Sequence, residues 1–283
     1  EISFQIAAAA IPTRVADDPE EERERQIERL ELRREELEKR LRECGENLCD
    51  ARSEIVKELS DIYFELGEYQ KAIDLLRQQL REARDNADSQ LEQDLLAGIR
   101  ENLEWNWDFK AGYGIVRNRR LWNLYAYGKI SWQEVIEISE LNLFAAREIG
   151  DISRQVDSLH GLGWAYRNMA LYSESLTFYE EALAIAEIRV QGLDLTAFDT
   201  GKNLLFREFF LLTELGILYI DLAQYDSALL SLEESLEKGE KYEARYSAPA
   251  VHADIYSTEV FQGFTLYNIG ILQLKAGDSE TAL

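Results

Sequence analysis

Trp164, Arg167 and Asn168 stand at i, i+3 and i+4, a spacing that gathers an indole, a guanidinium and a carboxamide on one face of a helix. Such a patch can stack on a side chain and hydrogen-bond a peptide backbone or a carboxylate. Trp and Arg are also the residue types most enriched where binding energy concentrates. This is chemistry for recognition rather than for breaking bonds. Residues for catalysis are sparse. Only two histidines occur, His160 and His252, far apart in the chain, which limits acid–base work. Gly112-Tyr113-Gly114 lacks the further glycines and the preceding strand of a phosphate-binding loop. Carboxylate pairs arise by chance among 54 acidic residues, so no pair is a catalytic signal. Cys44 and Cys49 find no further cysteine and no nearby histidine with which to hold a metal. The expectation is no catalytic residue, no metal and no cofactor.

The same two cysteines flank Gly45-Glu46-Asn47, a turn between two helices. They read equally as a disulfide or as two reduced thiols packed at a helix junction. A bridge favours an extracytoplasmic location, and reduced thiols leave the cytoplasm open. The formal net charge of −23 is hostile to nucleic-acid phosphates and anionic membranes, and permissive for basic partners. No stretch approaches the roughly 18 uninterrupted apolar residues of a membrane helix. Direct nucleic-acid binding and membrane insertion are therefore not expected. With 46% hydrophobic residues, 30% charged residues and three prolines, the composition suits an ordered helical chain.

A spaced pattern positions these residues. Leu59-Ser60-Tyr63-Ala72, Leu162-Gly163-Tyr166-Ser175, Leu215-Gly216-Tyr219-Ala228 and Ile269-Gly270-Gln273-Ala282 each span thirteen residues from first to last, across a turn. A small residue on each of two helices lets their backbones approach, while Leu and Tyr fill the space beside the contact. The pattern resembles the tetratricopeptide repeat, whose signature has this order of residues. That resemblance implies an all-α, right-handed solenoid of helical hairpins.

Residues 1–16 read as a poorly ordered leader, and residues 17–44 as a charged helix. Within the latter, Ile27, Leu30, Leu37, Leu41 and Cys44 fall on a heptad seam interrupted by Arg34. This helix can either cap the first hairpin or make a coiled-coil contact with a partner. Residues 47–283 read as an array of about five hairpins. The first runs from about Leu48 to Arg84. The second is degenerate, with Trp122–Tyr127 in its first helix and Val135–Glu148 in its second. The third covers about Ser153 to Ile188 and the fourth about Lys202 to Ala244. The last is incomplete, so the chain reads as part of a longer one. Ser175 to Ala228 is 53 residues and Ala228 to Ala282 is 54, against about 34 for the usual repeat. The excess lengthens helices or adds loops, one of them expected at Gln191–Gly201.

By the resemblance, the first helix of each hairpin lines a concave groove. Its ligand-facing positions would be Asp157, His160, Trp164, Arg167 and Asn168 in the third hairpin, and Phe210, Thr213, Ile217, Ile220 and Asp221 in the fourth. The fifth would offer Phe264, Tyr267, Ile271, Leu274 and Lys275, and the degenerate second Arg117, Arg120, Leu124 and Tyr127. Family members that clamp an acidic peptide end use Lys and Asn on the first hairpin. Here Lys57 is present but Asp61 replaces the Asn, which argues against that ligand. The aromatic cluster from Trp105 to Trp132 reads as packing where repeats are irregular. The functional expectation is a non-enzymatic scaffold holding a peptide or helix of a partner protein in the groove. The alternative is a sensor or regulatory module whose effector, such as a caspase-like protease or a DNA-binding domain, lies beyond Leu283.

Overall fold

The computed structural model describes residues 19–44, 51–103, 131–192, 198–246 and 258–277. Among these residues there are ten α-helices and no strand. They are α1 (Pro19–Cys44), α2 (Arg52–Glu65), α3 (Tyr69–Asp85), α4 (Ser89–Glu101), α5 (Trp132–Ile149), α6 (Ile152–Asn168), α7 (Tyr172–Gly192), α8 (Phe198–Asp221), α9 (Tyr225–Tyr246) and α10 (Thr258–Ala276). Each helix packs mainly on its sequence neighbours, and α6–α8 and α8–α10 also touch, so the order is that of a stacked array.

The repeated small residues do what their spacing predicts. The Gly163 backbone lies so near α7 that the Ser175 hydroxyl donates to the Gly163 carbonyl at 2.7 Å. A Cβ on Gly163 would stand 2.5 Å from the ring of Tyr179, and one on Gly216 would stand 2.5 Å from Leu232. Both neighbours are fully buried. An aromatic residue opens each second helix: Tyr69, Trp132, Tyr172 and Tyr225.

α1 caps the array. Leu37 is fully buried and Leu30, Leu41 and Cys44 pack on the same core, while Arg33 makes a two-pronged bond to Glu58 at 2.7 and 2.9 Å. From Leu30 onward the heptad seam is used up inside the chain, which corrects the alternative of a coiled-coil contact; only Ile27 of that seam stays exposed. Cys44 is disulfide-bonded, and Cys49 lies outside the described residues.

The second hairpin differs from the expectation in a physical detail. Trp122–Tyr127 lies outside the described residues, and α4 packs on both α2 and α3. α5 is then buried on two sides, with Ile138, Leu141 and Phe144 in one core and Val135, Ile136 and Leu143 in the next. A further correction concerns the loop expected at Gln191–Gly201. α7 runs on to Gly192 and α8 begins at Phe198, and residues 193–197 of the expected loop lie outside the described residues. Among the described residues the extra repeat length shows as longer helices: α7, α8 and α9 have 21, 24 and 22 residues, against 14 in α2 and 17 in α3.

Helix ends follow ordinary capping rules. Ser131 and Glu134 form a capping box, and Asp88 and Asp151 accept backbone N–H bonds at 3.0 Å. Three C-terminal turns instead place alanine in the left-handed region, Ala87, Ala170 and Ala223, at φ of 52°, 58° and 56°. The equivalent residue after α2 is Gly67, at 76°. A Cβ there costs about 1–2 kcal/mol, part of which glycine loses again through its freer unfolded chain. Ala170→Gly and Ala223→Gly are each expected to stabilise the protein by about 0.5–1 kcal/mol, read as a rise in the urea midpoint. An unchanged or lower midpoint would refute the strain.

Candidate functional site

The groove positions of the third and fourth hairpins meet one another more than they meet solvent. α6 and the longer α8 lie side by side, and Arg207 of α8 grips Asp157 of α6 through Nε–Oδ1 at 2.5 Å and Nη2–Oδ2 at 2.6 Å. His160 sits beside this pair at 2% exposure, its ring 5.1 Å from Phe210 and 5.8 Å from Tyr179. Burial draws the imidazole pKa down to about 4; Asp157 opposes that shift and Arg207 adds to it.

Two turns further along, Arg167 donates to Asp221 at 2.8 Å and lies 3.8 Å from Glu214. The Tyr179 hydroxyl donates to Glu214 at 3.3 Å. Burial raises the Glu214 pKa, against the pull of Arg167 and Tyr179. Thr213 joins a buried hydroxyl chain linking three helices, 2.7 Å from Ser235 of α9 and 2.9 Å from Thr265 of α10.

Thus His160, Thr213 and Ile217, expected as ligand contacts, are buried inside the array, which corrects that expectation. So are Asp157 and Ile220. The reason is that α8, at 24 residues, lies against α6 on one side and is closed over by α9 and α10 at Thr213. Phe210 is half-buried against His160 and Phe206. Trp164 is half-buried, edge-on to Trp132 with centroids 4.6 Å apart. Asn168 is exposed and donates to the Trp164 carbonyl at 2.7 Å. Lys57 pairs with Glu101 at 2.5 Å. Arg117, Arg120, Leu124 and Tyr127 lie outside the described residues.

On α10 the positions stay open. Phe264, Tyr267 and Leu274 are 41%, 64% and 58% exposed, with Lys275 exposed beside them. Sequence reasoning missed Arg207, Glu208 and Glu214, charges set in the apolar run of α8 and buried by its neighbours. Such charges inside an otherwise apolar helix were the available signal. Among the described residues no group of three or more His, Cys, Asp or Glu is placed to hold a metal ion. No helix among them is long and apolar enough to cross a membrane.

The acid response of the α6–α8 junction can be worked out. An unfolded His titrates near 6.5 and His160 in the fold near 4, so between those values the unfolded state binds more protons. Stability is fully present above about 6.5 and falls as pH drops toward 4. Glu214, whose pKa is raised, works in the opposite sense, so the His160 contribution is read as the difference between wild type and His160→Phe. That difference should shrink from pH 6.5 to 4 in denaturant titrations; a flat difference would rule the contribution out.

Models of the tetratricopeptide repeat match residues 57–90 and 156–190. The first stretch covers most of α2, all of α3 and the turn into α4, and the second covers most of α6 and α7. Comparison with curated proteins gives no match. Among solved structures the chain is similar to the crystal structure of BtubC (BKLC) from P. vanneervenii. That similarity has a TM-score of 0.42 and 20% identity, and covers 92% of this chain and 86% of that one. Two repeat matches, each laid on a helical hairpin, show that the chain carries tetratricopeptide repeats.

Proposed function

We propose that the chain is a non-enzymatic interaction scaffold that holds a peptide or helix of a partner protein on its concave face. The observation that carries this reading is the open apolar face of α10. Phe264, Tyr267 and Leu274 project there at the ligand-facing positions, while the equivalent positions of α6 and α8 are largely taken by internal pairs. Large exposed aromatic residues are unusual on a polar surface, and they are what binding hot spots use. Trp164 and Asn168 extend the face toward α6.

The test is selection of peptides from a displayed library by the wild-type protein, followed by titration of a selected peptide against Phe264→Ala/Tyr267→Ala. Both substitutions are at exposed positions and should leave the fold intact. Affinity should fall at least about tenfold, the size of losing one well-buried aromatic anchor. Undiminished affinity would move the site off this face. Arg167→Glu is a poor probe, since it would break the Asp221 and Glu214 contacts as well as any ligand contact.

A further inference from the structure

Between α1 and α3 a groove of about 1590 Å³ opens, with Leu59 and Tyr63 of α2 at its base. Lys57 and Asp61, the concave-face positions of α2, are not among its lining residues, so it is a second surface, apart from the one argued above. Its volume exceeds the roughly 300–1,000 Å³ of sites for small ligands, which points to a polypeptide occupant.

The walls have a definite chemistry. Leu41, Leu75 and Leu91, from α1, α3 and α4, give each side an apolar contact, and all three are partly buried. Around them stand four carboxylates, Glu38, Glu82, Asp88 and Asp94, against two guanidiniums, Arg42 and Arg52. Arg52 is engaged within the wall, bonding Gln79 at 2.7 Å and pairing with Glu82. Arg42 faces Glu38 at 3.9 Å. The carboxylates of Asp88 and Asp94 accept from neutral donors, the Leu91 N–H and the Gln90 amide. An apolar strip with an acidic rim, on a chain of net charge −23, is complementary to a strip of apolar residues flanked by cations.

We infer that this outer groove docks a basic amphipathic helix of a partner polypeptide, its apolar face on Leu41, Leu75 and Leu91 and its lysines or arginines against Asp94, Asp88 and Glu82. The groove between α1 and α3 gives such a helix walls on two sides. Specificity comes from the leucines, and electrostatics sets the encounter rate and the salt dependence.

The experiment is fluorescence anisotropy of a labelled Leu/Lys peptide with helical amphipathic spacing, against the whole protein. Asp94→Lys and Glu240→Lys both act at exposed helix positions and change net charge equally, but Glu240 is on α9, far from the groove in the stack. Each variant is first checked for unchanged circular dichroism. Asp94→Lys should weaken binding about tenfold and Glu240→Lys less than about twofold. A peptide of the same composition, scrambled to remove the apolar face, should bind at least about fivefold more weakly than the amphipathic one. Equal losses for the two variants, equal binding of the two peptides, or no saturable binding of the amphipathic peptide at low salt would each overturn the proposal.

Discussion

Arg207→Ala is expected to lower the stability of the protein by about 3–5 kcal/mol, the cost of leaving one member of a buried ion pair without its partner. The side chains of Arg207 and Asp157 are 14% and 8% exposed, and the guanidinium meets the carboxylate with two parallel bonds. Removing the guanidinium strands Asp157 at the α6–α8 junction, next to His160. Replacing both partners with apolar residues of similar volume, Arg207→Met with Asp157→Leu, should recover most of the loss, because the pair's attraction roughly offsets its desolvation. Chemical denaturation of the wild type, both single variants and the double variant closes a thermodynamic cycle. A loss below about 1 kcal/mol for Arg207→Ala would mean that the pair is solvated and does not bind the hairpins together. Hydrogen exchange should show lost protection concentrated in α6 and α8, since contacts in a repeat array pass mainly between neighbours.

The same pair shows where sequence reading stops. The periodicity of α6 marks Asp157, His160, Trp164 and Arg167 as lying off the small-residue seam, and the structure agrees. What that face meets depends on an element about 50 residues away, and periodicity carries no information about it. The spacing of 53 and 54 residues between copies already signalled an unusual repeat. It did not decide between longer helices and longer loops. α8 lies against α6 at His160, and Thr213 of α8 is enclosed with Ser235 of α9 and Thr265 of α10, so the expected ligand contacts His160, Thr213 and Ile217 are interior. On α10, Phe264 and Tyr267 are exposed. The cap was more legible. Leu30, Leu37 and Leu41 needed one apolar partner, and α2 is next in the chain. α4 is not legible as a member of a hairpin. Glu101 stands where the pattern has Tyr, three residues after Gly98, and no small residue follows at the usual distance within the described residues.

Gly163→Ala should cost about 2–3 kcal/mol, although alanine is the better helix former by about 1 kcal/mol in an exposed helix interior. The new methyl would lie 2.5 Å from Cδ1 and 2.6 Å from Cε1 of Tyr179. That ring cannot swing aside, because it is fully buried, lies near the His160 ring, and its hydroxyl is bonded to Glu214. The strain therefore falls on the backbone of α6 or α7 and on the Ser175–Gly163 hydrogen bond across the hairpin. Gly98→Ala in α4 is the matched control. Its methyl would meet only the flexible Lys57 side chain, at 3.5 Å, which is ordinary contact. There the intrinsic preference decides, and the substitution should be neutral or stabilising by up to about 1 kcal/mol. Opposite signs for the same chemical change, measured as shifts of the urea midpoint, would separate close helix approach from general glycine effects. If both substitutions stabilised the protein, the small-residue contact would not be what holds the hairpin together. The repeat pattern would then need another physical basis.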